Sequence, residues 1–405
     1  ETDDYTASSS IFKTRTTTPS IVEDYYTYSG GTITGLTAFG ETLTDWAIPA
    51  VIGGADVTAI GDSAFREKLD FAGTLTLPDS VESIGGFAFS MCRALTGPLS
   101  LPAGLKTIGV GAFQGCNFTG SLTIPSGIKT IERSAFSGCK GFAGLTLLSG
   151  LKSIGDSAFA DCGFTGTLTI PDSVKTIEAF AFGYCRNFKG SLIIGNGVES
   201  IGALAFMRCD GFKGTLTIPS NVKTIGRRAF YRCEGFTGLT IESGVVSIGE
   251  EAFRECIRMT GNLTIPAGVK TIGASAFYWC RGFTGLLTLP DSIEVIEMNA
   301  FQACGFKGTL TIPDSVKTIG EYAFYNCSGL TGLTIGSGVK TIGAYAFLNC
   351  SDLESITLTG ATVVQLGGNA FDGTNDDFIY VPAALADEYR SADGWSAYAE
   401  RIFSA

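Results

Sequence analysis

Apolar and polar positions alternate over a few residues, stop, and then recur as a block. In "LTIPDSVKTIEAFAFGYC" (168–185), Leu168 and Ile170 alternate with threonine, which suits a short strand with one inward face. Pro171 ends that strand, and Val174 and Ile177 predict a second short extended segment. Ala181, Phe182 and Cys185 follow at spacings that suit a helical turn with its apolar side inward.

The block is repeated along the chain. Ala-Phe recurs with its phenylalanine at Phe65, Phe89, Phe113, Phe136, Phe159, Phe182, Phe206, Phe230, Phe253, Phe277, Phe301, Phe324, Phe347 and Phe371, at intervals that never differ by more than a single position. The span from strand leucine to this phenylalanine is identical in Leu122–Phe136, Leu168–Phe182, Leu216–Phe230 and Leu310–Phe324. From cysteine to the next strand leucine it varies by one position, as between Cys162–Leu168 and Cys185–Leu192. Slips are therefore confined to the glycine-rich corner, where Gly166 and its equivalents allow a sharp bend. A single block cannot bury its own apolar face, whereas stacked blocks share one core. The expected fold is a β-rich repeat solenoid, with short strands and a helical turn in each coil of about 23 residues.

The carrying positions, IP–V–I–G–AF–C, stand intact in "LTIPDSVKTIGEYAFYNC" (310–327), and they resemble the BspA-like, or Treponema-type, leucine-rich repeat family. The resemblance covers about residues 43–371. "WAIPAVIGGADVTAIGDSAF" (46–65) looks like an opening repeat of that family, and "IYVPAALADEYRSADGWSAYAERI" (379–402) like its closing helix. It implies a leucine-rich-repeat-like right-handed superhelix closed by a small C-terminal helical cap. It also implies a non-enzymatic cell-surface or secreted protein of a bacterium, adhering to host or bacterial surface macromolecules. The asparagine ladder of ordinary leucine-rich repeats is missing, and a second strand takes the place of their long convex helix.

The ends suggest caps. Residues 1–30 read as a flexible leader, 31–64 as an N-terminal cap with a first degenerate repeat, 65–371 as the repeats and 372–405 as the C-terminal cap. "DYYTYSGGTITGL" (24–36) predicts a hairpin over the first coil; Pro382 suits a first helical residue, with Leu385, Tyr389, Trp395 and Tyr398 on the apolar side. The chain opens at Glu1 without a methionine, as a mature or trimmed form does, which leaves room for a lipid anchor on a removed leader.

Chemistry is sparse. Among 405 residues there is no histidine, which removes Ser-His-Asp and Cys-His arrangements and the HExxH zinc site. A net charge of −11 argues against nucleic acid as a partner, and no apolar run approaches the ~20 residues of a spanning helix. "GVGAFQG" (109–115) has the wrong glycine spacing for a dinucleotide site, so no cofactor is expected. Four N-x-S/T sequons start at Asn117, Asn262, Asn326 and Asn349; two are simply the repeat's own corner. Glu250–Glu251 and Asp376–Asp377 read as solvated surface rather than catalytic dyads.

All twelve cysteines, Cys92, Cys116, Cys139, Cys162, Cys185, Cys209, Cys233, Cys256, Cys280, Cys304, Cys327 and Cys350, stand three residues after an Ala-Phe phenylalanine. With no CxxC pair, a zinc site within one coil is excluded. Stacked equivalents have parallel Cβ vectors, whereas a disulfide needs them to converge to about 3.8 Å. They read as a buried ladder of free thiols, with no metal.

If the frame is fixed, function lies in the outward positions. Between 182 and 281 these hold Tyr184, Arg186, Arg208, Arg227, Arg228, Tyr231, Arg232, Arg254, Arg258, Tyr278, Trp279 and Arg281. That stretch has 12 basic and 7 acidic residues, a charge of +5 that leaves −16 for the remainder. Arginine and large aromatics anchor protein interfaces and also suit anionic glycans, so either ligand class fits. The alternative is a decorated surface, with rings flat on neighbouring coils and arginines paired to Glu234, Glu250 or Glu255. The lysines of V-K-T-I (Lys106, Lys129, Lys152, Lys175), interrupted by Glu82, Glu199 and Glu294, read as a solubilising face.

Overall fold

The computed structural model describes residues 24–38, 40, 46–69, 72–375 and 378–405; the leader up to residue 23 and the Asp376–Asp377 pair lie outside these. The chain winds into a β-solenoid of about 16 turns with little helix. Each coil has three runs: an L-T-I strand, a T-I strand and a run of tight turns around Ala-Phe. Equivalent residues pair in register, Leu168 with Leu192 and Ile177 with Ile201.

The fixed spacing from T-I to phenylalanine has a direct consequence. The T-I strands form one eleven-stranded parallel sheet from Thr130–Ile131 to Gln365–Leu366. The L-T-I strands follow the variable corner, so they absorb its slips: their ladders are mostly two-stranded, and register shifts occur at Gly120/Ser121 and Gly308/Thr309.

The inward residues form one continuous core. The fourteen Ala-Phe rings stack from Phe65 to Phe371 with centroids 5.0–5.5 Å apart and planes within 17° of parallel. Each such pair adds about 0.5–1.5 kcal/mol beyond its burial. A second stack runs from Phe118 through Phe142, Phe164, Phe188 and Phe212 to Phe236. Met259 takes that position in the next coil and is fully buried.

The Ala-Phe run is tighter than the helical turn its spacing suggests. Gly183 and Cys185 donate N–H bonds back to the carbonyls of Phe180 and Phe182, three residues earlier. Phe180, Phe182 and Tyr184 instead donate to Ala203, Ala205 and Met207 of the next coil, each at 2.8 Å. Alternate amides thus close turns and join coils. The geometry puts two residues of every coil, two before and two after the phenylalanine, at left-handed φ; Phe180 and Tyr184 have φ 57° and 62°. Left-handed helix geometry costs an L-residue roughly 1–2 kcal/mol, so inter-coil bonding outweighs backbone preference here.

All twelve cysteines are free and buried. Each thiol donates to the Ala-Phe phenylalanine carbonyl of the preceding coil, with Sγ to O distances of 2.9–3.3 Å, as from Cys209 to Phe182. The thiol is therefore a hydrogen-bonding strut as well as a small apolar filler.

Both ends are covered. Strands Tyr26–Ser29 and Thr32–Leu36 form an antiparallel hairpin, and the second pairs with Ala59–Ile60. The first of these precedes residue 31, where the sequence places the start of the cap. At the other end, Trp395 is buried and its indole N–H donates to Val364 O at 2.6 Å, while Tyr398 OH donates to Asp372 at 2.7 Å. The helix is short, Ala386–Ser391, and Pro382 stands just ahead of the 3-10 turn Ala383–Leu385 rather than inside it. Strand Ile402–Ser404 then extends the last sheet.

At Gly211 the coil spacing leaves no room for a side chain: a Cβ there would lie 1.9 Å from Phe188 O. Gly211→Val is expected to cost at least the roughly 1–3 kcal/mol of an overpacked core site, read as a lower urea midpoint. An unchanged midpoint contradicts the close-stacked corner.

The thiols give a second prediction. Burial pushes Cys92, Cys139, Cys280 and Cys327 up to about 12, and Cys116, Cys209, Cys256, Cys304 and Cys350 well above the ordinary thiol range. A raised folded pKa leaves stability intact below the unfolded-chain value of about 8.5 and removes it as pH climbs toward the folded one. Each such thiol forfeits about 1.4 kcal/mol per pH unit in that window. Urea midpoints should fall steeply between pH 8.5 and 11, and native protein should resist thiol reagents that titrate it fully once unfolded. Prompt labelling of the native thiols contradicts this.

Candidate functional site

The turn run presents its outward residues in columns, because each coil repeats the same register. Numbered from the Ala-Phe phenylalanine, the columns lie three and two residues before it and one, two and four after it. Tyr184, Arg208, Arg232 and Trp279 share the second position after; Tyr231, Arg254 and Tyr278 share the first. The left-handed residues Tyr184, Arg208, Arg228, Arg232 and Trp279 are all in the sequence-predicted set.

The structure gathers the middle of that set into one network. Guanidinium carbons of Arg228, Arg232 and Arg254 lie 5.8, 5.5 and 5.9 Å from the Tyr231 ring, and Arg254 is 4.5 Å from Tyr278. Glu251 accepts from Arg228 and, at 2.6 Å, from Arg254; Glu255 accepts from Arg232 at 2.5 Å and Arg254 at 3.3 Å. Arg227 pairs with Glu250 at 3.2 Å on the exposed flank. Burial acts to raise the Glu251 carboxyl, but the hydrogen bonds from Arg228 and Arg254 prevail and hold it below the usual carboxylate range. The Glu251 side chain is only 8% exposed, which corrects the expectation that Glu250–Glu251 is a solvated pair. Glu250 fits that expectation; Glu251 does not.

The outer members stand apart. Arg186 lies over Tyr184 at 5.1 Å and Arg281 over Trp279 at 4.0 Å. Among the described residues, Arg186, Arg208, Arg258 and Arg281 hold no ion pair. Asp210 sits among Arg186, Arg208 and Arg232; one of its oxygens is buried without a hydrogen-bond partner, and burial, reinforced by Glu234, raises its pKa despite the arginines.

Partners a whole coil apart in the chain escape a linear reading, yet a signal exists. Arg228 and Glu251 share one column in adjacent coils, as do Arg232 and Glu255, Arg227 and Glu250, Lys106 and Glu82, and Lys175 and Glu199. Aligning the coils exposes opposite charges on neighbouring rungs, the solenoid counterpart of cross-strand pairs. The same columns show two clefts. One of about 510 Å³ lies around Gly115 and Gly138, and one of about 340 Å³ around Ala303 and Gly305. Among the described residues no group of three His, Cys, Asp or Glu side chains is placed to hold a metal, and no helix is long and apolar enough to cross a membrane.

Glu251→Gln removes the charge facing Arg228 and Arg254 at a buried point, whereas Glu250→Gln acts at the surface. The first should cost about 1–3 kcal/mol and the second under about 1, compared by urea denaturation. Equal effects contradict the network.

The BspA type leucine-rich repeat region profile matches residues 58–189, 189–304 and 271–389, with six copies. Of solved structures, a leucine-rich repeat protein from Bacteroides ovatus is 25% identical, with a TM-score of 0.64 over 96% of this chain and 100% of its own. The pneumococcal vaccine antigen PcpA is 19% identical, with a TM-score of 0.49 over 93% of this chain and 94% of its own. A leucine-rich cell surface protein from Faecalibacterium prausnitzii is 22% identical, with a TM-score of 0.41 over 84% of this chain and 94% of its own. A search of curated protein sequences finds no match. The family profile spans most of the chain and falls on the coils whose stacking is described above, so this protein belongs to the BspA-type leucine-rich repeat family.

Proposed function

We propose that this protein is a non-enzymatic recognition or adhesion protein, secreted by or displayed on a bacterium, which binds surface macromolecules through its turn face. Membership of the BspA-type family supports a repeat-based recognition role. The observation that carries the reading is the division of labour within each coil. Inward positions are buried and nearly invariant, while the outward columns of coils 182–281 hold a rigid Arg, Tyr and Trp surface. Glu251 and Glu255 fix Arg228, Arg232 and Arg254 in place, so a partner meets side chains already ordered, which lowers the entropic cost of association. Among the described residues, Arg208, Arg258 and Arg281 supply charge that no carboxylate neutralises within ion-pair distance. Contact at many points along a stiff body requires no reaction chemistry.

The test uses the full chain against immobilised extracellular-matrix proteins and bacterial envelope preparations. Combined Arg208→Glu, Arg258→Glu and Arg281→Glu substitution should weaken the binding found by at least about tenfold, more at low salt. Lys152→Glu, on the strand face, should leave it unchanged. Saturable binding to none of these surfaces makes the protein a passive spacer, and undiminished binding by the triple variant removes the turn face from the account.

A further inference from the structure

We propose that these two clefts on the turn face, around Gly138 and Ala303, are equivalent subsites for one extended acidic glycan, each gripping a carboxylate-bearing sugar unit. This deepens the recognition reading above and rests on it.

Both clefts arise in the same way. Two residues after the phenylalanine, where other coils project Tyr184, Arg232 or Trp279, the first cleft has Gly115 and Gly138 and the second has Ala303. The missing side chains open a trough at the same register. Four residues after the phenylalanine each trough carries a cation: Arg93 and Lys140 at the first, Arg281 at the second. The remaining polar lining is amide and hydroxyl: Gln114, Asn117 and Ser137, then Asn326 and Ser328. That set suits a hydroxyl-rich ligand with a negative group; the second cleft is mainly polar, and the first adds the apolar side chain of Met91, which lies over Gly115, as a surface for a sugar ring.

Charge agrees. Although the chain is acidic overall, residues 83–131 and 256–290 contain no aspartate or glutamate, and these stretches supply most of the first cleft and the cationic wall of the second. Among the described residues, Lys140 is the one of the three cleft cations with an ion-pair partner, Asp161 at 2.8 Å, with both side chains largely exposed and the pair correspondingly weak. At the second cleft, Trp279 is 38% exposed and stands one coil before Ala303, its backbone N–H donating to Gln302 O at 2.9 Å. The Arg281 guanidinium lies 4.0 Å over the indole, so a pyranose ring would meet the part of the indole that stays exposed while its carboxylate meets the guanidinium fork.

Phe113 and Phe301 are eight coils apart, which places the clefts about 38 Å from one another at ~4.8 Å per coil. One polymer running along the solenoid reaches both, so the second contact becomes intramolecular and avidity exceeds either single affinity.

The experiment measures binding of the full chain to polygalacturonate and hyaluronan. Neutral dextran, sulfated heparin and poly-L-glutamate serve as comparators. Gly138→Met and Asn326→Met fill the clefts; Met91 occupies this register at φ 63°, so the fold accommodates the change, and circular dichroism checks it. At least one carboxylated polymer should bind at least about tenfold more tightly than the comparators and than its own trisaccharide. Each Met variant, and Arg281→Gln, should weaken it by about tenfold or more. The proposal is overturned if neither carboxylated polymer binds, if heparin or poly-L-glutamate binds as tightly, or if the filled variants match the parent. Retained binding to the matrix and envelope panel would then confine the failure to the clefts, whereas no binding to either set removes both readings.

Discussion

Everything in this molecule depends on the amides that leave one coil and end in the next. A single coil encloses too little apolar volume to fold alone, so its stability is a property of its contacts with neighbours. On the strand sides these contacts are ordinary parallel pairing. On the turn side the same result requires two left-handed residues per coil, a conformation that 24 non-glycine residues adopt among those described. The strain is distributed evenly, and inter-coil bonds such as Phe182 N–H to Ala205 O hold it in place.

This constraint explains why the core residues are nearly identical from coil to coil. The phenylalanine must stack on its equivalents, and the residue three later must be small, apolar and able to donate one hydrogen bond backward. Cysteine meets all three conditions. Alanine lacks the donor, and serine carries a hydroxyl that is costlier to bury. The thiol therefore answers to the carbonyl of the previous coil, such as Phe182 O for Cys209, and its burial keeps it protonated rather than reactive.

The period, the buried columns, the N-terminal hairpin and the closing aromatics were legible in the sequence because each is a matter of spacing. Periodicity puts Trp395 and Tyr398 on the apolar side of a closing helical segment; they do close the last coil, though from beyond the short helix Ala386–Ser391. The left-handed turns were not legible: Phe180, Leu204 and Arg228 share that backbone geometry without sharing any side-chain property. The spacing of Ala181, Phe182 and Cys185 fits a helical turn equally well, and only the competition between local and inter-coil amides decides against it. The candidate site was half legible. Its arginines and aromatics were visible as a local enrichment, but Glu251 looked like solvated surface because its partners, Arg228 and Arg254, come from different coils.

The same geometry decides how such a surface can diverge. Outward columns join the inter-coil ladder through backbone amides alone, Trp279 N–H to Gln302 O and Ala303 N–H to Tyr325 O, so exchanging the side chain from one coil to the next leaves that bond in place and turns a ridge into a trough. Charge behaves differently, since a carboxylate on one rung meets whatever its neighbours carry in the adjacent columns. Glu251 and Glu255 therefore neutralise the centre of the arginine field while stiffening it, and the uncompensated cations Arg258 and Arg281 lie beyond them. Ligand recognition on this face is then set by the order of coils, with steric relief from single residues and electrostatics from neighbouring pairs.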